Sequence, residues 1–202
     1  MQIKSLIAGA ALALLSLNAA QAAVITIHAD QDATVGDGAP NAWNIWYRWV
    51  GTNIGGTYSS LFGFNLDSLQ GKKISSVDFS AFHNFTDGNG TVDAAFGLDN
   101  TWQAATITGY DAIGPVLASN AASQATLNSY QTWKLGKPVI SDGRLTVVLS
   151  GDGWNDYAPV LLGKGTSAYL TVTYAEVPEP AALGLLGLGL AGLAAARRRK
   201  PA

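Results

Sequence analysis

Apolar and polar residues alternate in short runs through most of this chain. Val24-Ile25-Thr26-Ile27-His28 opens the pattern with a β-favouring composition, and Ala29-Asp30-Gln31-Asp32-Ala33-Thr34-Val35 follows directly. The Gly36-Asp37-Gly38-Ala39-Pro40-Asn41 cluster interrupts it. Next comes Trp43-Asn44-Ile45-Trp46-Tyr47-Arg48-Trp49-Val50, which as a strand places Ile45, Tyr47 and Trp49 on one face and Trp46, Arg48 and Val50 on the other. Further strands are expected at 59–66, 74–83, 91–98, 131–136, 144–149, 157–162 and 168–174. Turn signals separate them, among them Asn53-Ile54-Gly55-Gly56, Asp87-Gly88-Asn89-Gly90, Ser141-Asp142-Gly143 and Gly163-Lys164-Gly165. No stretch between positions 23 and 177 combines helical periodicity with caps, although 118–127 suits one short helical turn. Many short strands with frequent turns predict an all-β fold, an antiparallel two-sheet sandwich of the jelly-roll type.

The two ends depart from this pattern. Lys4 precedes an apolar run from Leu6 to Leu17, and Ala20-Gln21-Ala22 supplies small residues on either side of a cleavage point. This is the layout of a signal peptide over residues 1–22, with the mature chain starting at Ala23. At the other end, Val177-Pro178-Glu179-Pro180 is followed by uncharged Ala, Leu and Gly from Ala181 to Ala196, then by Arg197-Arg198-Arg199-Lys200. The prolines keep the chain extended up to Pro180, which is suited to be the first residue of a helix. A helix over 181–196 is about 24 Å long, shorter than the ~30 Å hydrocarbon core of a bilayer. The basic block holds the following end on the cytoplasmic side, so the residues before 177 lie outside the cytoplasm. A core helix would not end in four consecutive charges. The expected organisation is a signal peptide at 1–22, a β-sandwich domain at 23–176 and a C-terminal segment at 177–202.

Charge and cysteine content narrow the function classes. Between Ala23 and Val177 there are seven Lys and Arg against thirteen Asp and Glu, a net of −6, compared with −2 for the whole chain. A basic footprint for nucleic acid is absent. With no cysteine, this domain has no disulfides and must be stabilised by its core, with a bound ion as a possible addition.

Catalysis has little support in the sequence. There is no Gly-x-Ser-x-Gly, no His-Glu-x-x-His and no thiol, and the only histidines are His28 and His83. His83 continues the Val77, Phe79, Ala81 face of its strand, which reads as a hydrogen-bonded histidine at the core edge. The acids sit mostly in Gly and Asn contexts that shape turns, so a polysaccharide-degrading enzyme is the least favoured reading and a non-enzymatic role is expected. Binding has better support, because exposed rings beside polar groups suit the C–H faces and hydroxyls of sugars. Trp43, Trp46, Tyr47, Arg48 and Trp49 form one such set, and Trp154 with Tyr157, flanking Asn155 and Asp156, forms a second. The competing reading is that these rings fill the sandwich core. Asp30 with Asp32 is a candidate for a structural calcium ion, since hard cations take loop oxygens, and no other cofactor is implied. Asn89-Gly90 reads as a hairpin turn.

Two resemblances add expectations. The order of Val177-Pro178-Glu179-Pro180, the Gly/Leu-rich helix and the Arg cluster closely resembles the PEP-CTERM sorting signal of bacterial exported proteins. That implies export by the secretion machinery, a transient inner-membrane anchor through the C-terminal helix, and processing by an exosortase. Delivery to the cell surface or to an extracellular polysaccharide matrix would follow. The middle domain resembles DNRLRE-type domains, a jelly-roll group related to carbohydrate-binding modules. The residues that carry this are 29–35, Ser60-Leu61-Phe62-Gly63-Phe64-Asn65-Leu66, Ile74-Ser75-Ser76-Val77-Asp78-Phe79, Asn100-Thr101-Trp102-Gln103, 130–135 and 168–174. Gly63 stands where that family usually has a basic residue, and Gln103 where it has an acid. Together these readings predict an exported surface or matrix protein that binds or structures exopolysaccharide. The alternative is a structural surface protein that contacts other proteins.

Overall fold

The computed structural model describes residues 22–36, 47–53, 56–88, 90–140, 142–159 and 167–175, together with 187, 189 and 190. Residues 24–174 form one compact unit, and a second comprises 1–23 and 175–202. Eleven strands run in chain order: β1 Ala22–His28, β2 Gln31–Gly36, β3 Arg48–Asn53, β4 Gly56–Asn65, β5 Lys73–Thr86, β6 Thr91–Gly97, β7 Ile113–Ala121, β8 Ser129–Gly136, β9 Arg144–Gly151, β10 Trp154–Tyr157 and β11 Tyr169–Ala175. Short 3-10 turns occur at Asp67–Leu69 and Gln124–Thr126. The fold is all-β, as the alternation predicts. Of the hydrophobic segment 181–196, residues 187, 189 and 190 are described and helical. No helix among the described residues is long and apolar enough to cross a membrane.

The strands follow one hydrogen-bonded path, β1-β11-β5-β10-β3-β4-β9-β6-β7, with β2 added on β4 and β8 on β5. The path curls on itself, so that β4 and β9 face β5 and β8. Rings show where the layers meet: Phe62 and Phe64 of β4 lie 5.2 and 6.1 Å from Phe79 of β5, and Phe79 lies 5.7 Å from Trp133 of β8. Trp133 is fully buried, and its Nε1 donates to the Val92 carbonyl of β6 at 2.9 Å, which ties the layers together and leaves no polar atom of the indole unpaired.

β8 shows the alternation cleanly, with Gln131, Trp133 and Leu135 buried and the residues between them exposed. In β5 the spacing slips by one residue, from Ile74 to Val77, where the register against β8 shifts at Val77/Asp78. By contrast, β4 and β9 are buried on both faces. The outer face of β2, β4 and β9 carries a second core of Ala33, Val35, Leu61 and Val148, closed by Trp102 and Ile107 from the long connection between β6 and β7. Trp102 Nε1 donates to Thr146 Oγ1 at 2.9 Å, and Gln31 Nε2 donates to the Trp102 carbonyl at 3.1 Å. Gly63 lies beneath this cover, and a Cβ there would come within 2.7 Å of the Gln31 Cγ and 3.3 Å of the Trp102 ring. Close packing against Trp102 accounts for a glycine at that position.

Several sequence expectations are refined. The one short turn expected within 118–127 is the 3-10 turn at Gln124–Thr126, and β7 occupies the first part of that stretch. β10 runs from Trp154 to Tyr157, earlier than the strand expected at 157–162. Of the aromatic strand expected from Trp43, residues 43–46 lie outside the described residues, and the described part includes β3, Arg48–Asn53. Finally, Asn89-Gly90 does not close a hairpin, because β5 and β6 are not hydrogen-bonded neighbours and the link crosses between layers. Gly88 and Gly90 have φ of +84° and +81°, and a Cβ on Gly90 would press within 2.7 Å of the Asp152 carbonyl.

Candidate functional site

The described part of the aromatic segments converges on β10, a four-residue strand held antiparallel between β3 and β5. Asp156 pairs with Trp49 of β3 on one side and with Phe85 of β5 on the other, so Phe85, Asp156 and Trp49 form a row across three strands. Trp154 shares the face of Asp156 two positions away, and Tyr47 shares the face of Trp49. The close approach of β10 to β3 depends on glycine. Gly51 has φ of +104°, a Cβ there would collide with the Gly153 carbonyl oxygen, and Thr52 N donates to that same oxygen at 2.9 Å. Asp87 clamps the start of β10 by accepting from Trp154 N at 3.1 Å through Oδ2, while its own N donates to the Trp154 carbonyl at 3.0 Å.

Trp49, Trp154 and Tyr58 make a three-ring cluster with centroids 5.3, 5.4 and 5.6 Å apart and mostly edge-on contacts. Tyr58 is buried within it, Trp49 and Trp154 are partly exposed, and Tyr47 and Phe85 are each 46 % exposed. The result is an outward aromatic face with a single carboxylate in its central row. Asp156 is only 9 % exposed, and its Oδ1 has no hydrogen-bond partner. Burial pushes its pKa up to about 6.

The opposite face of the same strands belongs to the interior. Tyr157 stacks on His83 at 5.0 Å and donates to Gln131 Oε1 at 2.6 Å. His83 Nδ1 is 2.9 Å from Thr126 Oγ1, and Gln131 Nε2 donates to that hydroxyl at 3.1 Å. Burial lowers the His83 pKa, with Asn155 and the backbone acting in the opposite sense. Arg48 Nη2 donates to Asp32 Oδ1 at 2.7 Å, both side chains being almost wholly buried. Asp156 and His83 therefore point to opposite faces of the sheet and share no reaction centre.

The predicted site residues separate accordingly. Tyr47, Trp49 and Trp154 come together on the outward face. Arg48 and Tyr157 do not join them. Each is one residue out of phase with its tryptophan or aspartate neighbour, turns inward and is fully buried, so both leave the set of surface contacts. Trp43 and Trp46 lie outside the described residues, as do Ala20 and Val177, Pro178, Glu179 and Pro180, whereas Ala22 opens β1. Asp30 and Asp32, the calcium candidates, are each engaged by an arginine. Arg144 Nη2 donates to both Asp30 oxygens at 2.9 and 3.1 Å, and Arg48 engages Asp32. Among the described residues no group of three His, Cys, Asp or Glu side chains is arranged to hold a metal ion.

The sequence misses Phe85 as a member of the site. Simple alternation from His83 sends Phe85 inward, but the register against β10 skips Asn84, and that irregularity turns Phe85 out. Asp156 belongs to the second set read from the sequence, and the structure adds that it lies in the row between Trp49 and Phe85. An open polar cleft of about 450 Å³ beside Asp30, Asn100, Asp142 and Arg144 has no exposed ring, and its volume is comparable with the ~480 Å³ groove near Leu69 and Ile140.

Similarity to solved structures is remote. The Eiger TNF from S. frugiperda aligns with 12 % identity and a TM-score of 0.33, over 79 % of this chain and 96 % of that one. The enzymatically active domain of tailspike protein 4 from bacteriophage CBA120 aligns with 11 % identity and a TM-score of 0.27, over 80 % of this chain and 20 % of that one. No curated protein matches the chain. Residues 176–200 match the PEP-CTERM protein-sorting motif, which makes this an exported protein that carries a C-terminal signal for exosortase processing.

Proposed function

We propose that the β domain is a non-catalytic polysaccharide-binding module that acts at the cell surface or in an extracellular matrix after its C-terminal segment has held it transiently at the inner membrane. The observation that carries the reading is the outward face of Tyr47, Trp49, Phe85 and Trp154 around Asp156. Flat, partly exposed rings beside one polar group suit the apolar faces and hydroxyls of a sugar chain. The separation of Asp156 from His83 favours binding over hydrolysis, which needs two acid–base groups on one substrate. Affinity electrophoresis of the full chain in non-ionic detergent tests the reading. Gels containing polysaccharide should retard it, and Trp49→Ala with Trp154→Ala should abolish the retardation. Equal mobility in all polysaccharide gels would refute it.

The second reading, a surface protein that contacts other proteins, draws on β7. This strand ends the sheet path and exposes Ile113, Val116 and Leu117. Sedimentation velocity distinguishes the two, since self-association lost on Val116→Lys would favour protein contacts. Replacement of Pro178-Glu179-Pro180 by alanines should leave the protein in the membrane fraction, and unchanged release would contradict the sorting route.

A further inference from the structure

Asp156 adds a constraint on the kind of polymer that can lie on this face. Its carboxyl sits in the ring row, nine-tenths buried, with an oxygen that no protein group satisfies. Among the described residues, the charged and titratable groups on the packed elements do not neutralise it. Asp87 at the end of β5 and Asp152 before β10 are also acidic. Arg48 of β3 is turned to the interior onto Asp32, and His83 and Tyr157 lie on the inner face. Tyr47 and Tyr58 bring uncharged phenols. Arg144 is engaged by Asp30. Among the described lysines, Lys73 opens β5 at the end opposite Phe85, Lys72 sits over the Tyr174 ring, Lys134 lies opposite Asp78 in the backbone register of β8 against β5, and Lys137 follows the end of β8.

Resting on the binding role proposed above, we infer that this face selects neutral, hydroxyl-rich glycans and rejects uronate-bearing ones, with Asp156 as the specificity-determining residue. Sugar hydroxyls donate to a carboxylate, whereas a uronate brought over the same row faces an unneutralised negative charge with little water to screen it. Protonation of Asp156 removes that charge. Because burial raises its pKa, this happens in mildly acidic solution where uronates are still ionised. The discrimination therefore weakens as the pH falls.

The experiment uses the full chain in non-ionic detergent, on native gels containing dextran, barley β-glucan or galactomannan as neutral probes and polygalacturonate as the acidic one, at pH 7.5 and pH 5. At least one neutral polymer should retard the protein at both pH values. Polygalacturonate should leave it unretarded at pH 7.5 and bind about tenfold more tightly at pH 5. Asp156→Asn keeps the shape and an acceptor oxygen, and should bind polygalacturonate at pH 7.5 with no further gain at pH 5. The wild-type pH comparison stands even if the variant fails to fold. Polygalacturonate retarding the wild type at pH 7.5 as strongly as a neutral polymer would overturn the selectivity and leave the binding role intact. A pH response that persists in Asp156→Asn would overturn the assignment to Asp156. Retardation by none of the polymers would remove the binding role and this inference together.

Discussion

Aromatic rings occupy two places in this molecule, and their contrast shows how the sheet assigns one residue type to two tasks. In the interior, Phe62, Phe79, Trp133 and Tyr157 are wholly enclosed, and the polar atoms of Trp133 and Tyr157 have protein partners. On the outward side of β3, β10 and β5, rings at similar centroid spacings remain partly open and surround a carboxyl whose Oδ1 is unsatisfied. Ring content and ring spacing are alike in both clusters. They differ in hydrogen-bond completion and in side-chain phase along the strand: Tyr157 and Asp156 are consecutive residues facing opposite ways.

The sharpest way to break this contrast is Trp133→Ala. Loss of an enclosed indole should cost about 3–5 kcal/mol, enough to leave much of the chain unfolded in a denaturant titration. Gly51→Ala comes next, since its φ and its contact with the Gly153 carbonyl leave no room for a Cβ. It should cost about 2–3 kcal/mol and weaken sugar binding as well, because β10 carries both faces. Trp154→Ala should cost only about 1 kcal/mol while abolishing retardation, the reverse of the Trp133 result. A larger stability loss at Trp154 than at Trp133 would erase the distinction between the clusters.

The pH dependence of folding separates the faces in a subtler way. His83 has a folded pKa below its ordinary 6.5, so the stability it contributes is present above that value and is lost as the pH falls through the lowered one. Asp156 has a folded pKa raised from 3.8 to about 6, so its contribution is present below 3.8 and is lost as the pH rises through about 6. Urea titrations between pH 7.5 and 4 should therefore show opposing trends. Asp156→Asn should expose the acid-side loss due to His83, and His83→Gln should expose the gain due to Asp156. Identical pH profiles for both variants would mean that the two residues do not titrate independently across the sheet.

Much of this fold was legible in the order of apolar residues, and the exceptions have local causes. β8 and β11 alternate cleanly because one side of each is turned to the core. β7 was missed because this exposed edge strand, Ile-Gly-Pro-Val-Leu-Ala-Ser-Asn-Ala, has no buried face to impose a period. β4 and β9 read as strands but gave no sign of their second covering, since the ring that closes it, Trp102, is about 40 residues from either strand. At the site, two-residue periodicity placed Tyr47 with Trp49 and opposed them to Arg48. The direction of Phe85 depended on one extra residue in the register of β5 against β10, which a sequence does not reveal.

The pairing of β1 with β11 has a kinetic consequence for an exported chain. Among the described strands, the first finds its sheet neighbour in the last, with nearly the whole domain between them in sequence. In a chain threaded through a membrane from its N-terminus, β1 would reach the far side first and wait unpaired until β11 followed. Contacts so distant along the chain form slowly and late. The sheet is completed only when β11 emerges, immediately ahead of the sorting motif, so the chain that reaches the exosortase is one whose last strand has only just become free to dock.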